Sequence, residues 1–391
     1  MESSAAAPTR ILAGGRENRR NERPVAVPVR VRRILTVAAI VMLVPAGFSF
    51  LGAMTETSNS STGIRAVEWL RDNGAAGVVA QVESVYYSLT APSKGGPTLR
   101  ALPKVGFGTA AAGASRVASE YRPARVPALI QPGLPGEGVW HATRPGLEAN
   151  PPVLLTTIRN QPEYPRVLAG LAWIDTKRTF VSLHPGRLEP SVELPRGSMD
   201  VPLEARPKLL ATFNSGFKLS DAKGGFAVKG HTYAPLRNGQ GTIVGYANGS
   251  VDVVDWSGGS TVPAGVRFAR QNLPLIVNEG KLNPTLANGA EWGATVGNAV
   301  LVWRSGIGVD SHGNLIYAAG EDQSVQSLAR TLQHAGAVRA MELDINSYWV
   351  SFITYGAPGA LDPKNLLPRM ERSDTRYLEP DDRDFLTVYS R

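Results

Sequence analysis

An uncharged apolar run, Ile34–Met54 (ILTVAAIVMLVPAGFSFLGAM), constrains this chain more than any other feature. As a helix rising about 1.5 Å per residue it spans about 30 Å, the thickness of a bilayer's hydrocarbon core. Pro45 is tolerated in such a helix, at most as a kink. The run is longer than the ~7–15-residue apolar core of a cleaved signal peptide. The small residues of Leu51–Met54 are the one feature that fits cleavage, so a retained anchor is expected. Arginines crowd directly before it, while Thr55–Thr62 hold one acid and no base. The positive-inside rule then places residues 1–33 in the cytoplasm and everything after Met54 outside, as a single-pass cell-membrane protein.

That basic tail also explains the charge. The chain's net +8 suggests nucleic acid, but residues 1–33 alone carry eight arginines against three glutamates. The remainder is nearly balanced, so no nucleic-acid partner is expected. There is no cysteine, which excludes disulfides, thiolate metal sites and a cysteine nucleophile.

Residues 55–89 form a juxtamembrane segment with apolar residues at helical spacing, broken at Asn73-Gly74. Two short helices close to the membrane surface are expected. Residues 90–138 are rich in Pro, Gly and Ala and read as an extended spacer. From Val139 to Arg391 the pattern is that of a compact domain. Strands are expected at 153–159, 166–175, 178–183, 209–213, 225–229, 242–246 and 250–255. Asn248-Gly249 marks a hairpin between the last two, and 298–309 with 315–319 makes a second. Ser324 caps a helix whose apolar stripe is Val325, Leu328, Ala329 and Leu332, followed by a strand at 338–344. Many strands with few helices, outside regular βαβ alternation, predict an α+β domain: a strand-rich mixed sheet preceded by one transmembrane helix.

Common catalytic motifs are absent, and the five histidines lack metal-ligand spacing. Three segments remain. In the first, a strand runs into Asn214-Ser215-Gly216, where glycine lets a ligand approach the backbone and Asn and Ser suit sugar hydroxyls. In the second, Arg304 stands beside Trp303 and before Gly306 and Gly308, a setting for gripping phosphate through paired guanidinium hydrogen bonds. The third is Met341–Ser347. Strand alternation puts Glu342 and Asp344 on one face, a carboxylate pair suited to acid/base cleavage of a glycosidic bond. The same pair, with Asn346 helping, equally suits a divalent cation such as calcium, Asp344 being the ligand. Trp292, Trp303 and Trp349 are candidates to stack on sugar rings or to fill a core.

In order and spacing these segments resemble the phosphodiester glycosidase family over roughly residues 140–391. The family's N-G-G-F-F turn is similar to Asn214-Ser215-Gly216-Phe217-Lys218, and its P-R-T-A-I-G segment to Trp303–Gly308. A helix like Val325–Ala337 follows, then L-D-G-G-G-S, here Leu343-Asp344-Ile345-Asn346-Ser347-Tyr348 with the aspartate kept and the glycines replaced. The resemblance implies a hydrolase of sugar-1-phosphodiesters or related glycosidic linkages in wall or exported polysaccharide. Asp344 and Glu342 would be catalytic. Asn214, Ser215, Gly216, Lys218, Lys229, Arg304, Gly308, Asn346 and Ser347 would bind substrate. The alternative is a non-catalytic surface protein binding a glycan in the same pocket.

Overall fold

The computed structural model describes residues 29–106, 121–144, 151–293 and 301–391. The chain divides into two compact units, Met1–Thr55 and Glu56–Arg391. The first contributes the helix α1 (Val29–Thr55), which passes through Pro45 without ending and is long and apolar enough to cross a membrane.

In the second unit, α2 (Thr62–Leu70) and α3 (Ala76–Thr90) meet at a kink where Gly74 has φ 87°, a conformation that favours glycine. The strands follow: β1 (His141–Ala142), β2 (Val153–Arg159), β3 (Leu168–Ile174), β4 (Thr179–His184) and β5 (Leu209–Asn214). After α4 (Leu219–Ala222) come β6 (Phe226–Val228), β7 (His231–Ala234), β8 (Gly241–Tyr246), β9 (Val251–Asp255) and β10 (Val266–Gln271). Next are β11 (Leu275–Asn278), β12 (Lys281–Leu282), β13 (Val302–Asp310) and β14 (Leu315–Gln323). Helix α5 (Val325–His334) leads to β15 (Ala337–Glu342), β16 (Phe352–Ala357), β17 (Leu361–Asn365) and β18 (Phe385–Ser390).

Among the described residues three sheets result, in the orders β1-β2-β3-β14-β13-β15-β11-β12, β7-β6-β10-β8-β9 and β17-β16-β5-β18-β4. A mixed sheet was expected. The pairings among the described residues are instead antiparallel, for example Thr156 opposite Leu171 and Ile307 opposite Met341. Hairpins such as β2–β3 and β13–β14 join neighbours directly, and hairpin-linked neighbours run antiparallel.

The large sheet is buried on both faces. Leu155, Ile174, Ile307, Leu315 and Tyr317 point into a core shared with Phe213 and Phe352 of one five-stranded sheet and Phe226 and Phe268 of the other. The alternate residues Leu154, Leu171, Trp173 and Ile316 meet Val325, Leu328, Ala329 and Leu332 of α5. These strands therefore read as nearly continuous apolar runs. At about 1.5–3 kcal/mol for each fully buried large aliphatic or aromatic side chain, this two-sided burial is the main favourable term holding the sheets. Ser324 caps α5 as expected, accepting from Ser327 N.

The expected spacer needs correction. The compact unit begins at Glu56, not Val139, and residues 121–138 belong to its packing. Val126 joins the core under α5, and Trp140 Nε1 donates to Ala124 O at 2.8 Å. Glu137 and Arg159, both fully buried, pair at 2.7 Å. Proline and glycine content signals the absence of a repeating element, and an irregular segment still packs when its apolar and charged side chains find partners. The Ala-rich remainder of the expected spacer, 107–120, lies outside the described residues, as does 298–300 of the expected hairpin.

Candidate active site

The ends of β5, β13 and β15 converge and carry the three predicted segments to one place. Asn214 Nδ2 donates to Ser305 Oγ at 3.0 Å, and Ser305 Oγ donates to the Asp344 carbonyl at 2.8 Å. Asp344 N donates to Ser215 O. Asn272, which follows β10, ties the fourth side by donating from Nδ2 to Glu342 O and accepting from Phe217 N.

Beside this junction lies a cavity of about 640 Å³. Asp344 and Arg383 sit in its wall, the guanidinium donating to Asp344 Oδ2 at 2.8 Å and to Gly216 O at 3.2 Å. Asp344 Oδ1 accepts from Asn346 N at 3.0 Å. Burial raises the Asp344 carboxyl above its ordinary range, and Arg383 offsets only part of that. Trp349, Phe217 and Ile345 supply apolar wall.

Helices α2 and α3 roof the cavity with Glu68, Arg71, Asp72, Ala76, Ala80 and Glu83. Lys218 reaches up to Glu68 at 2.6 Å and Asp72 at 3.2 Å, and Arg71 bridges Glu83 at 2.5 Å. Burial alone would lower the Lys218 ammonium, but the Glu68 carboxylate outweighs it and holds it above its usual value. The chain leading into the roof is fastened to the body. Ser58 and Ser60 donate to Asp382 Oδ2, Asn59 donates to Asp381, and Ser61 N donates to Tyr348.

Of the residues singled out in the sequence, Asp344, Asn346, Lys218 and Trp349 line the cavity; the other candidates have different surroundings. Arg304 is buried and already committed, donating to Gln323 O, Trp292 O and, at 2.6 Å, Glu342 Oε1. Glu342 lies beneath the cavity in that pair, and burial pushes its carboxyl up to about 7 despite Arg304. The expected shared face fails because β15 ends at Glu342, so strand alternation does not carry on to Asp344. Asn214 is buried among Ser305, Ser351 N and the Tyr317 hydroxyl and acts as a brace. Ser215 is buried, with no partner for Oγ among the described residues. Gly216 packs on Asn272, and a Cβ at Gly308 would come within 2.7 Å of Arg339 O, so that glycine serves strand packing. Ser347 is half-buried outside the lining. Lys229 is an exposed turn residue at φ 53°, on the side of His184. Trp292 and Trp303 are core, and Trp349 faces the cavity. Among the described residues no group of three or more metal-ligating side chains is assembled, and Asp344 has Arg383 where a cation would sit.

Sequence reasoning missed Arg383 and the roof. Arg383 stands in the run Asp381-Asp-Arg-Asp384, a charge density unusual beside an apolar strand and the one signal that pointed to it.

No family model matches the chain, and no curated protein matches it in sequence. Solved structures show a distant likeness. The zebrafish N-acetylglucosamine-1-phosphodiester alpha-N-acetylglucosaminidase catalytic domain, auto-inhibited by pro-peptide, aligns with 62% of this chain and 85% of its own at 16% identity and TM-score 0.38. A hypothetical protein from Synechocystis aligns with 62% of this chain and 65% of its own at 15% identity and TM-score 0.35. Likeness at this level is a remote one of strand arrangement and carries no argument about activity.

Proposed function

We propose that the chain is a membrane-anchored hydrolase cleaving a sugar-1-phosphodiester, or a related glycosidic bond, outside the cytoplasm. The observation that carries this reading is Asp344, a buried carboxyl with a raised pKa, set in a cavity beside Arg383 and Lys218 with Trp349 in the wall. A carboxyl that keeps its proton more readily than usual suits general-acid protonation of a leaving oxygen. Arg383 and Lys218 take the phosphate-holding role expected of Arg304, and Trp349 offers a face to a sugar ring. Helix α1 would be the anchor, oriented by the arginines before it with the second unit outside.

The test is release of free sugar from sugar phosphodiesters by the full-length protein in detergent. Asp344→Asn should lower turnover by about 10²–10⁴, the usual worth of a general acid. Because the acid form is the working form, the rate should fall on the alkaline side, at a pH above the ordinary aspartate range. An unchanged rate in Asp344→Asn refutes the assignment. One observation favours the second reading, a glycan-binding protein without turnover: each cation of the cavity already has a carboxylate partner. That reading predicts saturable binding and no product.

A further inference from the structure

We propose that the outer face of α3 is a docking surface for the lipid bilayer, so that the cavity's roof rests on the membrane. The proposal rests on the anchor reading of α1 given above. At 3.6 residues per turn, Val78, Val82 and Leu89 fall within about 40° of one another around the helix, and Ala76, Ala80 and Glu83 fall on the opposite side. The second set lines the cavity. The first points away from the body, with Val78 and Val82 each 67% exposed and Leu89 80% exposed. The one carboxylate in α3, Glu83, is turned toward Arg71, and the helix contains no lysine or arginine. Its outer face therefore shows none of the charge expected of a water-facing helix.

The choice of a bilayer as occupant comes from the chain itself. Helix α1 ends at Thr55, and Glu56–Ser61 alone separate it from α2. Six extended residues reach at most about 20 Å, whatever direction α1 takes. An apolar face one short helix and a kink beyond a tether of that length has lipid within reach as an apolar medium, and amphipathic helices lie in that interface with their apolar side down. A helix is about 10 Å thick, so the cavity would sit about that far from the lipid surface. A site so placed works on a bond carried at the membrane.

The absence of native cysteine allows single-site labelling of the full chain. Val78→Cys, Val82→Cys, a control on the span (Leu43→Cys) and one on an exposed strand (Lys281→Cys) are labelled with an environment-sensitive fluorophore. The proteins are reconstituted in vesicles of phosphatidylcholine and phosphatidylglycerol. The expected result is quenching of the 78, 82 and 43 labels by nitroxide lipids, with iodide quenching severalfold weaker than at 281. If the 43 label is quenched by lipid while 78 and 82 respond to iodide like 281, the anchor stands and the docking surface is refuted. Protection at 78 and 82 from both quenchers means that protein covers the face, by this chain or a second copy, and equally refutes it. A 43 label that lipid does not quench overturns the anchor reading and this inference together.

Discussion

Replacing Glu137 with alanine tests whether the irregular segment before β1 belongs to the fold. The carboxylate accepts from Arg159 Nε at 3.1 Å, Arg159 Nη2 at 2.7 Å, Arg159 N at 2.9 Å and Leu134 N at 2.8 Å. Arg159 spends its other donors on Thr98 Oγ1, Ile130 O and Pro132 O, so that one guanidinium ties residues 98, 130, 132 and 137 to β2. Neither partner is exposed to solvent. Truncation leaves a buried guanidinium without its counter-charge, a change that costs about 3–5 kcal/mol. Glu137→Gln, which keeps an oxygen acceptor, should cost less, about 1.5–3 kcal/mol for the weakened charge-assisted bonding. The assay is urea unfolding of the full-length protein in detergent, read by tryptophan fluorescence. Although burial alone would raise it, Arg159 holds the Glu137 carboxyl below its ordinary value. Its contribution is therefore complete above the unfolded value and lost as pH falls through the folded one. The gap between wild type and Glu137→Ala should accordingly narrow in acid. A difference within about 0.5 kcal/mol at neutral pH, the level of an ordinary surface change, would refute the reasoning and return residues 121–138 to a spacer.

Burial depresses the His184 imidazole to about 4. The folded state thus resists a proton that the unfolded state takes up near 6.5, and stability is lost as pH falls between those values; His184→Gln should flatten that loss relative to wild type in pH-resolved unfolding. Gly306→Ala places a Cβ 3.0 Å from Met341 O and 2.9 Å from Leu332 Cδ1. The overpacking between β13, β15 and α5 should cost about 1–3 kcal/mol in the same unfolding assay, and a neutral result would mean that α5 can shift. Glu68→Gln removes the nearer of the two carboxylates that hold Lys218. Amide exchange across residues 62–90 should speed up while the sheets stay protected, and uniform exchange in both would contradict the ion pair's role in seating the roof.

The parts of the fold visible in the sequence are those fixed by near neighbours. A run rich in apolar and β-branched residues after Pro151-Pro152 placed β2 at its observed ends. Asn248-Gly249 marked the β8–β9 hairpin, with Gly249 at φ 83°. Ser324 and the stripe after it fixed α5. Sheet membership was hidden, because β5 pairs with β16 and β18, partners more than 130 residues away whose register no local pattern records. The roof was hidden for the same reason. Glu68 and Asp72 read as the polar side of a short helix, and only the fold reveals that Lys218 is their counterpart.

The same distinction explains where the predicted site residues fall. Asn214, Ser305 and Asp344 come together because β5, β13 and β15 meet at one junction, where these residues brace its backbone. Bracing consumes hydrogen-bonding capacity: Asn214 has both ends of its amide occupied within the protein, and Arg304 spends Nε and Nη1 on Gln323 O, Trp292 O and Glu342. The groups facing the cavity come instead from α2, α3, the residues after β5 and the segment before β18. Each is placed by a contact distant in sequence, so the charge around Asp344 is set largely by elements outside the motif. Recognition at this site should therefore respond to changes in the roof and at Arg383 more than to changes at Asn214 or Gly308, whose replacement would be felt first as lost stability.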